Sequence, residues 1–253
     1  MNIKRFLAPL FAVVLLGADF PQLSLAPATV ELHVRPGQSI KQTLTLNNQT
    51  DQGLDFEMSA RDVVVKSGRR TFYDAGVLPH SIAATAVFSQ RSGHADPQSQ
   101  KSVQVILTVP AQTSIRAVAV YFRNKHVIAP HGSVMLNASL GALVTFILTS
   151  DIALHAGSVH VAPATSTQIM KVSEELSNAG TEPIVPQGVA AFVNAAGALV
   201  AKVPFEQQRL LPGERLSFNA QYPGVLPRGT YRIVCSFQFE GKTWTTEGRY
   251  SAP

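Results

Sequence analysis

The chain has 253 residues, a formal net charge of +5 and one cysteine. That length allows one or two domains, and a single cysteine excludes an intramolecular disulfide. The basic residues are scattered rather than gathered with interleaved aromatics, which argues against nucleic-acid binding.

Residues 1–18 read as a secretory signal. Lys4 and Arg5 supply the positive start, Phe6 to Leu16 the apolar core, and Gly17 and Ala18 the small residues of a cleavage site. Ser24 and Ala26 offer a second cleavage site, but Pro27 follows it directly. The apolar run is shorter than the roughly 20 residues of a spanning helix. The expectation is an exported protein, periplasmic or extracellular, with no stable membrane span once the signal is removed.

Beyond Gln22 the pattern is of strands and turns. Val30, Leu32 and Val34 alternate with Glu31, His33 and Arg35, and Arg35-Pro36-Gly37-Gln38 predicts a turn. Leu44 and Leu46 continue on a second strand, followed by the polar loop from Asn47 to Gly53. Leu54, Phe56, Met58 and Ala60 predict a third strand. Ser81 to Phe88 fits either a strand or a short helix, and a polar loop follows it. Val103 to Val109 and Ile115 to Tyr121 predict two more strands.

From Ser133 to Thr149 every second residue is apolar. Val134, Leu136, Ala138, Leu140, Ala142, Val144, Phe146 and Leu148 form one face. The other face is mixed, with Ser133, Asn137, Ser139, Thr145 and Thr149 among Met135, Gly141, Leu143 and Ile147. This is the period of a strand with one buried face, and the run is far longer than the usual 5–6 residues or so. Three readings stand: the face packs into its own core, part of it serves a partner by strand addition, or the segment spans a membrane, against which Asn137, Ser139 and Gly141 and its short length count. The candidate partner-binding residues are Leu136, Leu140, Val144 and Phe146.

Strands continue in the second half. Gln168 to Leu176 fits a strand or a short helix. Val189 to Val193 and Leu199 to Val203 flank the turn at Ala195-Ala196-Gly197. Leu211-Pro212-Gly213-Glu214 predicts a turn before Leu216, Phe218 and Ala220. Tyr231, Ile233, Cys235, Phe237 and Phe239 share a face, and a last strand runs around Trp244. Short strands with a turn every eight to twelve residues or so point to β-sandwiches. The expectation is an all-β chain of two tandem immunoglobulin-like β-sandwich domains, residues 19–149 and 150–253.

No catalytic or metal constellation emerges. His155 and His160, five apart on a strand, would face opposite ways, and no cysteine or carboxylate completes a ligand set. There is no Gly-x-Ser-x-Gly elbow and no phosphate-binding glycine loop. Cys235 reads as a buried, inert thiol, and Trp244 as a filler of the second core. The chain is expected to be no enzyme and to need no cofactor or metal.

The opening strand and turn from Val30 to Gln38, Leu44-Thr45-Leu46-Asn47-Asn48, Lys101 to Pro110, Arg116 to Arg123 and the long strand from Ser133 to Leu148 together resemble the first domain of PapD-like periplasmic pilus chaperones. They are also similar to WxL-interacting-type tandem immunoglobulin-like extracellular proteins. Leu226-Pro227-Arg228-Gly229-Thr230-Tyr231 resembles the turn that introduces a late strand in the second module. In the chaperones the long strand lends alternate apolar side chains to an incomplete subunit, and two basic residues hold the subunit's terminal carboxylate. Here Glu31 stands near the first basic position, and Ser133 to Thr149 holds no Lys or Arg, so that clamp is not expected.

The resemblance implies an exported, non-enzymatic binding module whose sharpest form is a periplasmic chaperone for secreted or pilus-type subunits. The other reading is a structural or adhesive surface protein that binds other cell-envelope proteins.

Overall fold

A computed structural model describes residues 23–124, 139–165 and 168–253. The first sandwich contains β1 (Leu23–Ala26), β2 (Thr29–His33), β3 (Ser39–Asn48), β4 (Leu54–Lys66), β5 (Arg69–Asp74), β6 (Val87–Phe88), β7 (Ser92–Ala95), β8 (Ser99–Thr108), β9 (Ala117–Asn124) and β10 (Ser139–Ile147). One sheet has the order β1-β3-β8-β6, and the other runs β2-β10-β9-β4-β5 with β7 also on β4. The opening strand is thus divided: β1 pairs antiparallel with β3, and β2 crosses to the second sheet and pairs parallel with β10.

The second sandwich contains β11 (Leu154–Ala162), β12 (Met170–Asn178), β13 (Gln187–Asn194), β14 (Leu199–Pro204), β15 (Arg215–Tyr222), β16 (Gly229–Phe239) and β17 (Lys242–Ala252). Its sheets run β11-β12-β15 and β14-β13-β16-β17. The chain is therefore all-β, with two immunoglobulin-like sandwiches in tandem. Each has its own core, the first reaching Phe146 and partly buried Leu148, the second beginning at Ile152.

The period-two alternation explains the cores. Val103, Val105 and Leu107 on β8 face Val118, Val120 and Phe122 on β9 across the first sandwich. Phe192, Phe218 and Phe237 fill the second, with Phe218 edge-on to Phe237 at 5.8 Å between centroids. Gly37, at φ 82°, allows the tight return in which Gln38 N–H donates to Arg35 O. Each sandwich also buries one asparagine at a strand end. Asn48 donates to Gln52 O and Asp96 O, and Asn178 donates to Glu182 O and Leu210 O, tying neighbouring loops together.

The ambiguous segments resolve for identifiable reasons. Ser81 to Phe88 forms a single 3-10 turn, Ala83–Thr85, and then the two-residue β6. Buried Asp62 sets the turn by accepting Ser81 Oγ at 2.5 Å and Ala83 N–H at 2.9 Å. Residues 170–178 are strand throughout. His155 and His160 correct the expectation of opposite faces. A bulge between Ala156 and Val159 shifts the register, so they oppose Ser177 and Ser173 on one solvent-exposed face.

The two sandwiches are joined by a built interface. The turn Leu211–Glu214 presses Leu211 onto Val63, Ala117 and Ala119, on the outer face of the first domain's sheet. Arg70 grips Glu214 with two bonds, 2.7 and 3.0 Å. Arg116 Nε meets both oxygens of fully buried Glu182 at 3.1 Å. Leu148 N–H and Thr149 Oγ1 add donors to the same carboxylate, each at 2.9 Å. Two strongly held carboxylates of the second domain thereby fix the elbow.

The second core also holds a carboxyl group. Glu174 is fully buried on β12, where Thr246 Oγ1 donates to Oε1 at 2.6 Å and Oε2 has no hydrogen-bond partner among the described residues. Its neighbours in register, Val159 and Phe218, are apolar, and on β16 the Cys235 thiol lies beside it. Burial raises the pKa of Glu174 despite the bond from Thr246. Burial also pushes the Cys235 thiol far up, with Glu174 adding to the effect.

The raised carboxyl makes the folded state bind more protons than the unfolded one above the ordinary carboxylate pKa. Stability from this group is complete below that value and is lost as pH climbs to the raised one. Glu174→Gln should remove that slope and stabilise the protein in mild alkali. Urea midpoints at about pH 4 and about pH 8 measure it. A wild-type midpoint that does not fall relative to the variant between those values would refute the upward shift of Glu174.

Candidate functional site

The long alternating strand is described from Ser139 onward, as β10. Leu136 lies outside the described residues. Val144 and Phe146 are both 0% exposed and belong to the first domain's own core. A partner reaches them only if the sandwich opens. The cause is the partition of faces: the even-numbered residues of β10 point inward, against Val118 and Val120. Leu140 differs. It is half-buried at the strand's start and lines a small apolar notch with Leu23, Leu46, Leu54, Phe56 and Phe122.

The backbone of β10 divides into two parts. From Leu143 to Thr145 it is paired on both sides, with β9 and with β2, and the pairing with β2 continues to Ile147. From Ser139 to Ala142 it pairs with β9, and among the described residues no strand lies on its other side. Odd-numbered residues turn their hydrogen-bonding groups toward β2: Leu143 N–H donates to Ala28 O at 2.9 Å, and Val34 N–H donates to Ile147 O at 3.0 Å. By the same alternation, Ser139 and Gly141 present their N–H and C=O groups to the open side. An unpaired row of this kind is a template for another strand.

The side chains above this edge are small. Gly141 sits under Tyr121, whose ring carbons would lie 3.0 and 3.2 Å from a Cβ at that position. Burial raises the Tyr121 pKa, while Arg61 and Arg123 act the other way. The sequence placed Gly141 only among the residues of the strand's mixed face. Its pairing with Tyr121 depends on the β9 register and had no local signal.

A cleft of about 710 Å³ opens between the domains beside Thr29, the first residue of β2. Thr29 and Glu31 form one wall, and Gln187, Gln207, Arg209 and the β16–β17 turn form the other. Arg209 reaches Glu31 at 3.3 Å and Val30 O at 3.4 Å, and its buried Nε has no hydrogen-bond partner among the described residues. Desolvation lowers its pKa, with Glu31 opposing the shift and Arg70 adding to it. His33 of the first domain and Glu240 of the second lie 3.6 Å apart. The sequence predicts no carboxylate clamp in the first domain, and the cation at this position comes from the second domain.

These features define a two-domain β-sandwich protein with a partly open sheet edge next to an interdomain cleft. No family model and no curated protein matches the sequence. Among solved structures the chain is similar to the class 5 fimbriae chaperone CfaA, at 14% identity over 89% of this chain and 98% of that one, with a TM-score of 0.45. It is also similar to the E. coli chaperone DraB, at 15% identity over 91% and 96% with a TM-score of 0.40. The Pseudomonas aeruginosa CupB2 chaperone aligns at 10% identity over 90% and 100%, with a TM-score of 0.37.

Proposed function

We propose that this is an exported, non-enzymatic chaperone-like protein that captures a secreted or pilus-type subunit by strand addition along β10. The observation that carries this reading is the backbone edge at Ser139 and Gly141, where two residues offer donors and acceptors that no strand among the described residues pairs, next to half-buried Leu140. Strand addition takes its affinity from main-chain hydrogen bonds and its selectivity from alternate side-chain pockets. The edge and the notch beneath Leu140 supply one of each. The first domain's own core retains Val144 and Phe146, so the binding part of the strand is its beginning.

Affinity capture of the protein from its native envelope, followed by mass spectrometry, tests the proposal. Ser139→Pro removes one outward N–H at the start of an edge strand, a place where proline is tolerated, and leaves the β9 ladder intact. The expected result is one stoichiometric subunit, recovered by the wild type and reduced severalfold with Ser139→Pro. Recovery of assorted envelope proteins, insensitive to Ser139→Pro, would replace the proposal with a structural or adhesive surface module.

A further inference from the structure

Beside the open edge, the outer face of the first sandwich carries a cation that the described chain does not neutralise. Arg123, exposed on β9, stands in register with Ser139. Its guanidinium lies over the Tyr121 ring, 6.0 Å from the centroid, and Tyr121 covers Gly141. Ser59 lies in the same row on β4, with a buried Oγ that has no hydrogen-bond partner among the described residues. Arg61, the neighbouring cation, is already paired with Asp74 at 2.7 Å. Glu57 opposes Arg123 in register, yet among the described residues the two form no ion pair. Residues 125–138, which join β9 to β10, contain Lys125 and neither Asp nor Glu.

We infer that the strand received by β10 carries an acidic side chain opposite Gly141, and that Arg123, spread over Tyr121, recognises it. The inference rests on the strand-addition reading. Directly opposed residues of neighbouring strands project to the same face, with Cβ atoms about 5 Å apart. At Gly141 there is no side chain to intervene, so the incoming one lies against Tyr121. Ser139 is short enough to let Arg123 lean across β10 toward the same place. A carboxylate there completes a charge-assisted pair at the edge of an aromatic ring. A lysine there meets a like charge, which destabilises a cross-strand pair.

Two synthetic peptides of alternating Val and Thr, identical except for one central Thr replaced by Glu or by Lys, test this by calorimetric titration. The Glu peptide should bind about tenfold more tightly than the Lys peptide, which is about 1.4 kcal/mol. Arg123→Gln, an exposed change, should abolish the difference while leaving both peptides bound. Equal affinities of the two peptides for the wild type would overturn the acidic preference and leave strand addition standing. Binding of neither peptide would overturn strand addition, and this inference with it.

Discussion

Val144→Glu should unfold the first sandwich, whereas Leu140→Glu should leave it folded and abolish partner capture. The two positions lie on the same face of β10, four residues apart in sequence, yet their surroundings differ. Val144 is 0% exposed and sits in register between Val30 and Val118. A carboxyl group there has no described polar partner, and burying it unpaired costs about 4 kcal/mol or more. That is a large part of the stability of a typical domain, about 5–15 kcal/mol. Leu140 is half-buried at the strand's start, so its carboxylate can turn to solvent for about 1 kcal/mol. Circular dichroism and urea titration read the first effect, and capture of the subunit reads the second. A folded Val144→Glu variant that has lost its partner would return Val144 to the binding surface.

Arg116→Ala should cost about 3–5 kcal/mol, the range for stranding one member of a buried ion pair. Glu182 has no exposure and among the described residues would keep only Leu148 N–H and Thr149 Oγ1 as donors. Pairing Arg116→Ala with Glu182→Gln should recover part of the loss, because the stranded charge is then absent. Urea midpoints of the two single variants and the double one give the coupling directly. The elbow angle should loosen in Arg116→Ala, seen as a larger radius of gyration in solution scattering. An unchanged midpoint would mean that the Arg116–Glu182 pair contributes nothing to the interface.

The sequence discloses the strands better than it discloses their company. Tyr231, Ile233, Cys235, Phe237 and Phe239 alternate along β16, and all but Phe239 are fully buried, because a period of two is a local property. The elbow was not legible. Arg70 and Glu214 are separated by 144 positions, and Arg116 and Glu182 by 66, so no window holds both partners. Glu174 illustrates a different limit. Alternation along β12 places it inward with Met170, Val172 and Leu176, but a charged residue type reads as an outward one. His155 and His160 escaped because a bulge adds a residue that no spacing rule anticipates.

The candidate site was half legible. An apolar face on a long strand was visible, and it led to Leu140. The same rule swept in Val144 and Phe146, because periodicity cannot distinguish a side chain covered by its own domain from one left for another molecule. What separates them is where β2 begins, a fact of tertiary pairing. Tyr121 and Arg123 were noted only as part of a strand, since their relation to Gly141 exists only across the sheet.

The division of the opening strand between the two sheets also acts as a ruler. Thr29 meets β10 at Leu143 and Ala28 accepts the Leu143 N–H, so the row of free hydrogen-bonding groups stops there. An incoming strand that reaches this point must end, turn into the interdomain cleft, or displace β2. One end of any added strand is therefore fixed by the protein itself, which sets its register without a dedicated side chain. A sheet edge with such a stop recruits one short strand rather than an open-ended stack, and so guards a sticky surface against self-assembly.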